Sequence, residues 1–255
     1  MSLRTRVRKF FHSLGYDISA YDRNSCGQNP FLDMGRFVAD SQTATIFDVG
    51  ANAGHFLKNL RLHYPLANVH SFEPSPTTYR LLVETAARFP RTNTWECGMG
   101  STRGPAKLLE NAHSTMSSFL ELGERGWGKV EKHTAVEIRT VDDLCDEQAI
   151  SHVDILKTDT QGFDLEVLQG ARRMLTEDRI RLIYSEVIFA ELYKGIPPFD
   201  EFYRFLRECN FVLVGFYKMH FSQQVAGWAD ALFVNKRLLD NAPKPSGENG
   251  DCGDE

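Results

Sequence analysis

"FDVGANAGH", residues 47–55, overlaps the end of the apolar run "TATIF" at 43–47. An apolar run that stops at an acid, Asp48, and continues into Gly50 and Gly54 predicts a buried strand, a tight turn and then a helix. Such a turn needs residues without a Cβ, because positive φ and close backbone approach are barred to most side chains. In a doubly wound sheet, ligands lie beyond the carboxyl ends of the strands at the switch point. The loop 48–54 is therefore the expected binding site.

Outward from this loop the chain alternates. Strands are expected at 45–49, 68–72, 93–99, 105–110, 134–140, 153–158, 180–187, 211–217 and 229–234. Helices are expected at 54–63, 76–88, 142–148, 164–175 and 199–209. This alternation points to an α/β fold with a mostly parallel sheet and helices on both faces. Before it, residues 3–14 place Leu3, Val7, Phe10, Phe11 and Leu14 at helical spacing, with Arg4, Arg8 and Lys9 opposite and Gly15 as the stop. The polar face reads as the solvated side of a packing helix; contact with a membrane surface or nucleic acid is the alternative. Residues 1–42 form an N-terminal helical and loop extension, 43–238 the main domain, and 239–255, rich in Gly, Pro and acid, a disordered tail.

The 255 residues suit one large domain. A net charge of −5 argues against a nucleic-acid partner. Five widely spaced cysteines without a CxxC make neither a disulfide framework nor a zinc site, and read as reduced thiols of a cytoplasmic protein. No apolar run reaches the roughly 18 residues of a spanning helix, so no stable membrane insertion is expected. The N-terminus lacks the pattern of a secretory signal.

The loop itself narrows the ligand. A dinucleotide fingerprint needs GxGxxG, whereas Asn52 and His55 stand where its second and third glycines would be. The acid Asp48 would repel a phosphate and welcome an ammonium group. S-adenosylmethionine (SAM) carries an ammonium and a sulfonium and no phosphate. Glu73, in "FEPSP" at 72–76, follows Gly50 by 23 residues, where a doubly wound fold places a carboxylate for the ribose hydroxyls. Glu73 suits NAD equally, so a nicotinamide-dependent oxidoreductase and a non-catalytic SAM-binding module remain as alternatives.

The segments FDVGANAGHF (47–56), FEPSP (72–76), TVDDL (140–144), VDILKTDTQGFDLEVLQGA (153–171) and WADALF (228–233) together resemble the FkbM family of SAM-dependent methyltransferases. The resemblance runs from about residue 43 to 235. It implies a class I SAM-methyltransferase fold, a Rossmann-like three-layer sandwich whose seven-stranded, mostly parallel sheet has its last strand antiparallel. It also implies methyl transfer to a hydroxyl of a small-molecule or glycan acceptor. Matched residue by residue, Asp48, Gly50, Asn52 and Gly54 would line the methionine end of SAM and Glu73 would hold the ribose. Two positions depart from the family. Ser101 stands where an acid would contact adenine, and Gln161-Gly162 replaces the commoner Glu-Gly.

The chemistry is expected at the ends of strands 153–158 and 180–187. Alternation puts Lys157 and Asp159 on one face, beside the cofactor loop, where an acid–base role fits. A structural ion pair is the competing reading. Asp159 is the first candidate for the group next to the acceptor, as base or as ligand of a divalent ion, and Glu186 the second. Two carboxylates with an open position can hold Mg²⁺. The segment 111–130 is expected to form a lid and to contribute His113 as an alternative base. Trp127 and Trp228 read either as core or as walls of an acceptor pocket. Ile196-Pro197-Pro198-Phe199 resembles the Pro-Pro-aromatic motif of amino-methylating enzymes, but lacks its leading Asp or Asn and lies after the wrong strand. It reads as a loop.

Overall fold

The computed structural model describes residues 3–16, 18, 25–38 and 40–240. The strands are β1 (Thr45–Val49), β2 (Asn68–Phe72), β3 (Thr92–Trp95), β4 (Gly98–Met99), β5 (Gly104–Asn111), β6 (Val130–Arg139), β7 (Val153–Thr158), β8 (Ile180–Ile188), β9 (Phe211–Ser222) and β10 (Val225–Asn235). The helices are α1 (Leu3–Ser13), α2 (Pro30–Met34), α3 (His55–His63), α4 (Pro76–Ala86), α5 (Val141–Glu147), α6 (Asp164–Gln169), α7 (Arg172–Thr176), α8 (Phe199–Glu208) and α9 (Lys236–Asp240). The main sheet has seven strands in the order β3-β2-β1-β7-β8-β10-β9. The first five are parallel, and β10 runs antiparallel to both β8 and β9. This is the expected class I arrangement. The order reverses beside β1, so the crevice at its carboxyl end is the switch point.

Period-two alternation divides the core into two layers. Ile46, Val69, Ile155, Leu182, Leu232 and Val234 face the side covered by α2 and α3. Phe47, Phe72, Leu156, Ile183, Ala231 and Phe233 face the side covered by α5 to α8. Part of the expected extension belongs to the first layer. Met34 and Val38 are core residues there, and the buried Asp33 carboxylate accepts a hydrogen bond from Tyr217 on β9 at 2.7 Å. The tail expected to be disordered lies outside the described residues, apart from Leu239 and Asp240 at the end of α9.

Two elements differ from the pattern-based reading. The strand expected at 93–99 is two strands. β4 leaves the main sheet, pairs with β6 and joins a separate three-stranded sheet ordered β4-β6-β5. The helix expected at 164–175 is two helices that part at Gly170, which packs so closely on Gly100 that a Cβ would lie 2.0 Å from the Gly100 carbonyl oxygen. The Gly170 carbonyl instead accepts a hydrogen bond from the Asp142 amide.

Arg61, on α3, is 6% exposed and holds the rim of the sheet opposite the cleft. Its Nη1 donates to the carbonyls of Tyr64, Pro65 and Ala67, and its Nη2 to those of Pro90 and Arg91 and to Thr92 Oγ1. A planar fork can serve both loops at once; one ammonium cannot. Arg61→Lys is therefore expected to destabilise the fold by about 3 kcal/mol. Urea unfolding with an unchanged m-value is the measurement, and a loss below about 1 kcal/mol would mean the fork is dispensable.

Candidate functional site

Beyond the carboxyl ends of β1, β2 and β7 lies a cleft of about 620 Å³. The turn after β1 forms its floor. Gly50 (φ 73°), Asn52 (φ 47°) and Gly54 (φ 80°) all take the left-handed conformation that the glycine spacing calls for. The close approach, however, is to the protein's own chain. A Cβ on Gly50 would sit 1.9 Å from the Asp159 carbonyl oxygen, and one on Gly54 would sit 2.8 Å from the Thr85 methyl group. The Gly50 and Ala51 amides donate to the Phe72 carbonyl, tying the turn to β2.

Glu73 reaches the cleft from the end of β2. Its Oε2 accepts from the Asn52 amide at 3.0 Å and its Oε1 from the Ser75 amide at 2.9 Å. Burial outweighs these two donors and pushes its carboxyl up to about 7. Phe72, Cys97, Met99, Leu108 and Phe119 form an apolar wall beside it. Opposite stand Asp159, Thr160 and Gln161. Ser114, Thr115, Ser117 and Ser118, from the 3₁₀ turn at Ser114–Met116 and the residues after it, cover the top. There Asn52 Nδ2 donates to Ser114 Oγ at 3.3 Å. The segment 111–130 thus overlies the cleft.

Asp48 is not on the cleft wall. Its side chain is fully buried within the sheet, where Lys157 Nζ stands 3.0 Å from Oδ1. Lys157, also buried, directs hydrogen bonds to the carbonyls of Val49 (3.3 Å) and Gly50 (3.0 Å) and lies 3.7 Å from Asp159 Oδ2. Burial alone would lower this ammonium group. Asp48 and Asp159 outweigh it and hold Lys157 above the usual lysine range, charged. The pair gathers the tips of β1 and β7; Lys157 thus sits closer to Asp48 than to Asp159, the partner expected from the sequence, and Asp48 acts from behind the loop.

Gln161 was legible only as a departure from the family pattern, yet it organises the carboxylates. Its Nε2 donates to Asp159 Oδ1 at 2.9 Å and to Glu186 Oε2 at 3.0 Å. Its Oε1 accepts from the buried Tyr193 hydroxyl at 2.7 Å, and Ser118 Oγ donates to its backbone carbonyl. Desolvation, then the charges of Asp159, Asp164 and Asp230, drives Glu186 well above the carboxylate range. Glu186 lies behind the Gln161 amide, in a smaller hollow shared with Asp164, Ile188 and Phe199. Burial, then Asp159, likewise raises Asp164, to about 6. Asp159 is the carboxylate that reaches the cleft.

The donor set does not fit Mg²⁺. The point between Asp159 and Glu186 is taken by the Gln161 amide NH₂, a donor that repels a cation. Among the described residues no group of three or more His, Cys, Asp or Glu is placed to hold a metal ion. Ser101 also departs from its expected place. Its hydroxyl donates to Glu166 on α6 and it is absent from the cleft wall, because the chain turns away from the cleft after β4. His113 is exposed beyond the rim. Trp127 and Trp228 pack on each other at 5.3 Å, and Trp228 stacks on His220 at 4.6 Å; neither lines the cleft. Among the described residues no helix is long and apolar enough to cross a membrane.

A family model described as the methyltransferase FkbM domain matches residues 48–213. The chain is 27% identical over 164 residues to the 2-O-methyltransferase NoeI of Sinorhizobium fredii, covering 60% of this chain and 67% of that protein. It is 28% identical over 181 residues to the methyltransferase sdnD of Sordaria araneosa, covering 60% and 68%. To the hexuronic acid methyltransferase AglP of Haloferax volcanii it is 26% identical over 158 residues, covering 61% and 58%.

The buried pair gives a direct test. Lys157→Met leaves the Asp48 carboxyl buried without a counter-charge and is expected to cost about 3–5 kcal/mol. Adding Asp48→Leu should restore most of that loss, since removing both charges removes the desolvation penalty with them. Chemical denaturation of the single and double variants measures this. A double variant no more stable than Lys157→Met would refute the assignment.

Proposed function

The chain belongs to the methyltransferase FkbM family, and from that premise we propose that its cleft takes SAM and that methyl transfer goes to a hydroxyl of a sugar or other small molecule. One observation carries the choice of ligand. Two carboxylates, Glu73 and Asp159, face the cleft, and among the described residues no Lys, Arg or His lines it. A pyrophosphate would meet two acidic groups with no cation beside them, which disfavours NAD. A cationic, phosphate-free nucleoside can set its ammonium near Asp159 and its ribose hydroxyls on Glu73.

The residues present fit such a group. Glu73 keeps lone pairs free beyond its two backbone bonds, and these suit a pair of ribose hydroxyls. Phe72, Met99, Leu108 and Phe119 suit an apolar heterocycle. The Asp159 side chain and the Ser114 hydroxyl suit the amino-acid end. Bound SAM supplies an electrophilic methyl group. The chain's own part is alignment and proton handling. Asp159, fixed by Gln161 and facing the Lys157 ammonium, accepts the proton of an acceptor hydroxyl. Such a base contributes about 10²–10⁴-fold. Glu186 lies behind the Gln161 amide, which separates it from Asp159. NoeI and AglP, named as a 2-O-methyltransferase and a hexuronic acid methyltransferase, support an oxygen acceptor on a sugar.

The raised Glu73 carboxyl makes cofactor affinity depend on pH. Ribose hydroxyls donate to the ionised form, so binding should strengthen as pH rises through about 7. At pH 6 roughly one carboxyl in ten is ionised, and S-adenosylhomocysteine should bind about tenfold more weakly than at pH 8. The stability linkage of the empty protein has the opposite sign. With the folded value above the unfolded one, this group's contribution is complete below the unfolded value and is lost as pH rises through about 7. Calorimetry at both pH values, repeated with Glu73→Gln, tests this; the variant should bind weakly and without pH dependence. Tighter binding of NAD than of S-adenosylhomocysteine would reject the reading.

Asp159→Asn should lower kcat by about 10²-fold or more against any sugar that the wild type methylates. Because Asp159 also faces the ammonium end of the cofactor, S-adenosylhomocysteine should bind the variant more weakly too, so the fall in kcat is read at saturating SAM. Unchanged kcat would remove Asp159 as the base.

A further inference from the structure

Helix α1 is a formed element with no buried side chain. Its end is closed by paired hydrogen bonds, Tyr16 N–H to the Phe11 carbonyl (2.9 Å) and Gly15 N–H to the His12 carbonyl (3.0 Å), with Gly15 at φ 82°. This is the glycine cap expected from the sequence. The packing expected for its apolar face is not what the structure shows. Leu3 is 78% exposed, Val7 43%, Phe10 61% and Leu14 56%. At 100° per residue these four fall in one sector, which Phe11 widens to about 100°. Arg4 borders the sector on one side, Arg6 and Lys9 on the other. The helix holds no acid, although the whole chain carries a net charge of −5.

We infer that α1 is an interfacial helix that docks the protein on the surface of an anionic phospholipid bilayer. An apolar stripe left in water is a binding surface awaiting an apolar partner. Cations along both borders can extend to headgroup phosphates while the stripe enters the acyl boundary. Charge selects the partner. A second copy would bring three more cations against these three, and a nucleic acid would leave Phe10 and Leu3 in water. An anionic bilayer satisfies both the stripe and its borders. The docking is peripheral and separate from the methyl-transfer cleft.

Sedimentation of the full-length protein with phosphatidylcholine vesicles, with and without phosphatidylglycerol, tests this. Binding is expected only with phosphatidylglycerol, and should weaken as salt rises to about 0.5 M. Phe10→Asp should reduce partitioning at least tenfold or so by placing a charge in the stripe. Replacing Arg4, Arg6 and Lys9 by Ser together should reduce it about a hundredfold, near fivefold per cation. Because every α1 side chain lies outside the core, these variants should keep the wild-type urea midpoint and S-adenosylhomocysteine affinity, which separates failure of this proposal from failure of the cofactor assignment. Three outcomes would overturn it. The first is no co-sedimentation at low salt. The second is equal binding by Phe10→Asp. The third is a dimer in light scattering that Phe10→Asp dissociates without any vesicle binding.

Discussion

The Lys157 ammonium is the constraint on which the site depends. It is buried between two strand tips, 3.0 Å from Asp48, and donates to the carbonyls of Val49 and Gly50. A charge so placed cannot be left alone, because an unpaired buried ion costs several kcal/mol. The ends of β1 and β7 are therefore held at one separation. With that separation set, Gly50 must lie against the Asp159 carbonyl, closer than any side chain permits. The turn then delivers the Asn52 amide to Glu73, and the cleft follows.

On that frame two kinds of carboxyl are kept apart. Asp159 and Glu73 open to the cleft and give it negative charge with no cation in its wall among the described residues. Asp48, Asp164 and Glu186 lie behind it, each raised by burial, and each has a partner that limits the cost. The partners are Lys157 for Asp48, the Thr160 amide for Asp164, and Gln161 for Glu186. Gln161 is the switch between the groups. Its uncharged amide joins an exposed carboxylate to a sheltered carboxyl and is fixed by Tyr193. A carboxylate at this position would add a third negative charge, whereas an amide adds a donor.

Much of the fold was legible because its causes are local. Strand alternation at 45–49, 68–72 and 153–158 reports burial on both sheet faces. The glycines at 50 and 54 report positive φ, and Gly15 reports a helix cap. The breaks in pattern were not legible because their causes are distant in the chain. The helix over 164–175 parts where Gly170 meets Gly100, and the strand over 93–99 divides where β4 finds β6. For the same reason Ser101, adjacent to the expected adenine site by position, turns to Glu166.

The sequence by itself determined the α/β class of the domain, the places of most strands and helices, and the identity of Glu73 and Asp159 as acids at the ends of β2 and β7. These follow from periodicity, spacing and residue type, which short-range sterics and burial translate directly into structure. Only the tertiary structure decided which acid faces the ligand and which is spent on a buried ion pair. It also showed that an amide rather than a metal fits between Asp159 and Glu186, and that the apolar face of α1 is left uncovered. Each of these turns on the distance between groups far apart in the chain. Electrostatic and desolvation energies depend on that distance, and no one-dimensional pattern records it.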